Sequence, residues 1–232
     1  MSTITLWSSD VLAHVKRASK PSIERAVRDA AIAFCEKTWL WAEDLTRITT
    51  VINQQDYTLT DPTDAEIVVV DNVRYKINGA DDDQFQTLIP ISQNQMDLHN
   101  VGSWAYGTSA HPSYYWVDVV DKVLHLLNIP TVASTLGLLV RVILRPSDTC
   151  ASVPDFLYEE HSKAITQGAV ADLFSQEVMD WSDVQDPNNF KVLLNKAVYY
   201  DRLFESSCNE AKIKKFTGAT KRPLTVRFQP WV

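Results

Sequence analysis

Apolar residues recur at three- and four-residue intervals near both ends of this chain and at two-residue intervals through its middle, a switch of period that constrains the fold more than any other feature. Toward the amino end, Ile23, Ala26, Val27, Ala30, Ala31, Phe34 and Cys35 fall on one helical face. Pro21 sits where a first-turn proline belongs, and a shorter helix is predicted before it over Ser9–Arg17. Between Leu45 and Leu144 the runs Arg47–Ile52, Tyr57–Leu59, Ile67–Ile77, Phe85–Ile91 and Tyr114–Leu127 are alternating or β-branched and read as strands. Leu136, Leu138, Val140, Val142 and Leu144 alternate with their neighbours to give the clearest strand of all. Asn78-Gly79 and Asp121-Lys122 are turn signals, so antiparallel hairpins are expected.

After Val153-Pro154-Asp155 the helical period returns through Leu157, His161, Ala164, Ile165, Gly168, Ala171 and Phe174 or Ser175. Asp186-Pro187 then opens a last long helix, with Phe190, Leu193, Leu194, Ala197, Leu203 and Phe204 on its buried face and Gly218 at its end. The expected fold is α+β. N- and C-terminal helices (1–44 and 151–216) form a helical bundle, an antiparallel β domain (45–150) is inserted in it, and an extended C-terminal arm (217–232) follows. A chain of 232 residues that is 45% hydrophobic can bury enough surface to fold without disulfides.

Cys35, Cys150 and Cys208 are odd in number and lie in no CxxC spacing, which indicates neither a disulfide framework nor a zinc ribbon and fits a reducing compartment. The first residues lack the basic and apolar regions of a signal peptide, and no uninterrupted apolar run of about 20 residues is present. Synthesis in the cytoplasm and no membrane partner are expected.

No catalytic residue, metal or cofactor is expected either. His14, His99, His111, His125 and His161 include no pair at helical zinc-site spacing. Glu159-Glu160-His161 are consecutive on a helix, so their side chains diverge by about 100° and read as a solvated face. Asp81-Asp82-Asp83 lack the spaced oxygens of a calcium loop, and the chain has neither a GxxxxGK, a GxGxxG nor a GxSxG pattern.

Charge and aromatic content point to docking instead. Net charge is −7, yet Ala211–Val232 holds six of the 22 basic residues and no acid, leaving the other 210 residues at −13. Such an acidic body disfavours a dedicated nucleic-acid binder, while a basic arm suits an acidic partner. Within the arm, Lys221, Arg222, Leu224, Val226, Arg227, Phe228 and Trp231 combine charge with large apolar groups, as segments that order on a partner do. Trp104, Tyr106, Tyr114, Tyr115 and Trp116 form an aromatic run suited to an interface or to a β core.

The order of these features resembles the head-to-tail adaptor, or connector, proteins of tailed bacteriophages, in particular the larger type with a β insertion in a helical bundle. The resemblance rests on Pro154-Asp155-Phe156-Leu157-Tyr158-Glu159-Glu160-His161, then Ala164-Ile165, Gly168-Ala169 and Leu173, followed by Trp181, Phe190, Phe204 and Val226-Arg227-Phe228. Trp39 and Trp41, Tyr57-Thr58-Leu59 and Leu124-His125-Leu126 with Pro130 extend it upstream. It implies a structural virion protein at the head-tail junction: a homo-oligomeric ring of twelve copies between portal protein and tail or nozzle proteins. Genomic DNA would pass through without sequence-specific binding, and the arm would dock on the portal. Another tail or virion completion protein is the second reading, and a small hydrolase with an unrecognised site the third.

Overall fold

The computed structural model describes residues 1–77, 84–92, 95, 107–180 and 187–219, with side chains for all of these except 178–180, 187–189, 218 and 219. The chain divides into two compact units, one made of Met1–Leu40 with Pro146–Val232 and the other of Trp41–Arg145.

The first unit is mainly helical. Helices α1 (Ser8–His14), α2 (Lys20–Thr38), α3 (Asp155–Asp180) and α4 (Pro187–Ala219) follow one another in chain order, with a 3₁₀ turn over Ile4–Trp7 before α1. Ser19 caps α2 by accepting a hydrogen bond from the Ser22 amide, and Pro21 stands in the first turn, where its missing N–H costs nothing. The predicted stripe from Ile23 to Cys35 is buried in full. It packs on α3 around Gly168, where an added Cβ would lie 3.0 Å from both the Ala30 methyl and the Phe204 ring, so three helices meet at a position that admits no side chain. Trp7 is fully buried and sets its ring edge against Tyr158 at 4.8 Å between centroids. Two short strands, β1 (Ser2–Thr3) and β13 (Ser152–Val153), pair in this same unit, and the Ser2 hydroxyl donates to Asp155 at 2.8 Å.

The second unit is built of strands. A long strand β12 (Ser134–Pro146, whose last residue belongs to the first unit) pairs antiparallel with β2 (Ala42–Asp44) and β3 (Ile48–Thr50), and the sheet continues through β5 (Ala65–Lys76) to β6 (Phe85–Thr87). A second sheet orders β4 (Asp56–Thr58), β10 (Val123–Leu127), β9 (Tyr114–Asp118) and β7 (Ile89–Pro90), and β8 (Thr108–Ser109) pairs with β11 (Ile129–Pro130). Leu138, Val140, Val142 and Leu144 are buried as the alternation predicts. Leu136 is not: its φ is +53° and it is 46% exposed, where the pairing with β3 shifts register between Ser134 and Leu138.

An α+β class holds, but the more specific architecture does not. The described residues form four helices and several sheets, one of them a curled half-barrel, which is not clearly a helical bundle with a single inserted antiparallel domain. Two strand pairs are parallel, β7 with β9 and β8 with β11. Parallel pairing needs a dozen or more residues between partners, and those residues need not form a helix. Residues 110–128, which hold the β9–β10 hairpin, supply the connection for β8 and β11. The β1–β13 pair also places strand inside the helical unit. The extended arm lies outside the described residues except at Thr217–Ala219, which belong to α4, so Gly218 falls within that helix and not after it.

Candidate docking surfaces

The seven arm residues singled out by sequence, Lys221, Arg222, Leu224, Val226, Arg227, Phe228 and Trp231, lie outside the described residues. So do Asp81-Asp82-Asp83, His99, Trp104, Tyr106 and Trp181. What the structure does place is a set of apolar surfaces that the fold leaves uncovered.

On α4, Ala197, Phe204, Cys208 and Ala211 are buried at three-, four- and seven-residue spacings and form the packed stripe. Val192, Leu194, Val198, Tyr199, Ile213 and Phe216 are 42–64% exposed. Phe190 and Leu194, expected in the core, are 38% and 42% exposed, because the Gly168–Phe204 contact draws the helix in along a stripe narrower than its apolar residues could fill. At the far end of the same unit Trp39 closes α2 in the left-handed region, φ +54°, with its side chain 51% exposed and its carbonyl accepting from the Lys215 ammonium.

Two of the grooves along the described helices differ in charge. One, of about 440 Å³, is lined in part by Asp29, Asp172 and Asp201 with Lys37 at its margin. Burial, with the Asp29 carboxylate nearby, raises the Asp172 carboxyl above its ordinary range. The other, of about 460 Å³, has Val15, Phe174, Val192 and Leu193 for its apolar lining and Lys16, Arg17, Lys196 and His14 against a lone Glu177 for its polar one. Lys196 stands over the Phe174 ring at 5.4 Å.

The β unit offers a different feature. In the β9–β10 hairpin the Asp118 carboxylate accepts from the Val120 and Asp121 amides at 2.9 and 3.2 Å, which fixes the turn. Val119 and Val120 at its tip are 49% and 89% exposed. Lower on the hairpin, Trp116 and His125 are cross-strand partners whose rings stack at 4.0 Å and 8°, with Asp56 on the neighbouring strand 2.6 Å from His125 Nδ1. Asp121-Lys122 signals the reversal in sequence, but a two-residue turn there would put Asp118 opposite His125, and it is the four-residue turn 119–122 that puts Trp116 there. The stack therefore depends on the length of the turn, and the Asp56 partner on a long-range strand pairing.

Glu159 and Glu160 are exposed, whereas His161 turns inward against Phe34, with ring centroids 4.9 Å apart. Its burial, with Lys214 in the same direction, lowers the imidazole below its ordinary value. The three residues therefore do not converge on one point. Cys35, Cys150 and Cys208 are all buried and in no disulfide, and burial raises Cys35 and pushes Cys208 up to about 11, so these two stay protonated and unreactive. Among the described residues no group of three or more His, Cys, Asp or Glu side chains is placed to hold a metal ion, and no helix is long and apolar enough to cross a membrane.

No protein-family model matches the chain, and no curated protein matches it in sequence.

Proposed function

We propose that this chain is a structural assembly protein of a tailed-phage virion, a head-to-tail adaptor whose copies form a ring that joins portal to tail and continues the DNA channel. The observation that carries the reading is the apolar surface left open on α4, where Val192, Leu194, Val198, Tyr199, Ile213 and Phe216 stand in solvent on one long helix. Large apolar side chains left in solvent along one helix are candidate points of attachment for partners.

Charge supports the same reading. Trp41–Arg145 carries six basic against 13 acidic residues, while the rest of the chain carries 16 of each. Acidic surface repeated around a lumen repels passing DNA, and the basic end beyond Ala211 suits an acidic portal surface.

The test is the mass of the purified protein alone and mixed with the portal protein of its own phage, by native mass spectrometry. A complex carrying many copies of this chain on the portal ring is expected. A small species that ignores the portal overturns the adaptor reading.

A further inference from the structure

We propose that the Val119-Val120 hairpin tip of one copy inserts into the basic-rimmed groove between α1, α3 and α4 of a second copy. The inference rests on the ring reading for its second copy and adds to it the contact through which copies join.

The tip is built for an outside contact. Turn positions favour Gly, Asn, Asp and Ser, and β-branched residues there contribute nothing to the hairpin. Yet Val119 and Val120 occupy the tip, and Val120 is the most exposed large apolar residue among those described, at 89%. Acids flank the pair: Asp118, whose carboxylate is committed to the turn amides, and Asp121, which forms no ion pair among the described residues. The tip is an apolar knob in an acidic collar.

The groove is its chemical complement. Val15, Phe174, Val192 and Leu193 give it an apolar lining, and Val192 is 51% exposed there. Lys16, Arg17 and Lys196 form a basic rim, and none of them is in an ion pair among the described residues. Its volume of about 460 Å³ is enough to receive side chains of valine size. Opposite charges around an apolar contact fix its register and reject wrong pairings.

Tip and groove are different surfaces of one chain, so each contact leaves a free groove at one end and a free tip at the other. A heterologous contact of this kind propagates, and it closes into a ring when the rotation per copy allows.

The experiment is a disulfide trap between two single variants, Val120→Cys and Lys16→Cys, both at exposed sites. The native thiols are buried and do not compete. Mixed at high concentration under mild oxidation, the two variants should give a cross-linked heterodimer at least about tenfold over either homodimer, because contact raises the effective thiol concentration. The double variant should give a ladder of higher oligomers. Lys16→Glu with Arg17→Glu should abolish association, and Asp121→Lys on the other copy should restore it. Heterodimer no more abundant than the homodimers overturns the proposal. The outcomes separate from those of the adaptor reading: portal binding without the 120–16 link removes this contact alone, and the link without portal binding removes the adaptor reading and leaves the contact.

Discussion

The two units are held together by different means. In the helical unit α2, α3 and α4 approach closely at one point, where Ala30 and Phe204 both lie against Gly168, and Phe34 on α2 and Trp7 in the turn before α1 are fully buried. In the β unit only β5 and β12, of 12 and 13 residues, exceed five residues among the described strands, and partly exposed polar pairs add to the sheet, Arg145 with Glu66 at 2.7 Å between β12 and β5 and Lys122 with Asp61 between the turn before β10 and the loop after β4. The close-packed helical contact should respond steeply to changes of volume, and the partly exposed polar pairs of the β unit should respond more to charge and solvent.

The sharpest way to break that comparison is to empty the helical contact. Phe204→Ala leaves a cavity beside Gly168 and should cost about 3–5 kcal/mol, read from the denaturant midpoint. A loss below about 1 kcal/mol would mean that the three helices collapse to fill the space and that the unit is not pinned there. Next in size is filling rather than emptying. Gly168→Leu should cost about 1–3 kcal/mol by overpacking against Ala30 and Phe204. In the β unit, Gly137→Ala meets Ser134 Cβ at 2.7 Å and the Ser134 carbonyl oxygen at 2.9 Å at the irregular start of β12, so the backbone there must shift, and the change should also cost about 1–3 kcal/mol.

What could be read from sequence follows the same division. The α2 stripe, the alternation from Leu138 to Leu144 and the reversal at Asp121-Lys122 are local, set by residues within one helix, strand or turn, and all three are present in the structure. The fold beyond them depends on contacts between distant residues. Nothing local in Ile89-Pro90 announces a parallel partner at Tyr114-Tyr115, and nothing in Ser2-Thr3 announces Ser152-Val153. The face of α4 was misjudged for a related reason. Its apolar residues surround most of the helix, so periodicity could not say which of them the Gly168 contact would cover and which would stay open for docking. Val119 and Val120 carried a usable signal, two β-branched residues where a turn favours small polar ones, although only their exposure shows its meaning.

Acid should separate the units further. His161 is lowered by burial in the helical unit, so the unfolded chain takes up its proton first. Stability present above the ordinary value of 6.5 is lost as pH falls below it, and His161→Phe should flatten that slope. Asp61 behaves differently. Burial pushes its carboxyl up, but the Lys122 ammonium and the Ile67 amide outweigh burial and hold it below its ordinary value of 3.8. Its contribution is present above 3.8 and is lost only as pH falls below that value. Asp61→Asn should remove roughly 1 kcal/mol or less near neutral pH, since the pair is partly exposed. Hydrogen exchange followed by peptide from pH 7 downward should therefore show α3 losing protection before β4 and β10 do. The opposite order would sink the assignment of the two groups.

The smallest effect has the opposite sign and is the most specific. Asp172 faces the acidic groove with Asp29 and Asp201, and burial together with Asp29 raises its carboxyl, so the folded state holds this proton more tightly than the unfolded chain does. A carboxyl raised in this way destabilises the folded state once it ionises, because the unfolded chain gives up the proton at lower pH. Asp172→Asn removes the charge and keeps an oxygen able to accept from the Gln176 amide, which donates to Asp172 at 2.7 Å. It should raise stability by a few tenths of a kcal/mol at pH 7 and by nothing below the carboxylate range, where the wild-type residue is already neutral. A gain that persists at low pH would assign it to packing or helix propensity and not to charge. A loss at pH 7 would mean that the ionised carboxylate has a favourable partner in the groove, with Lys37 at its margin the first to examine.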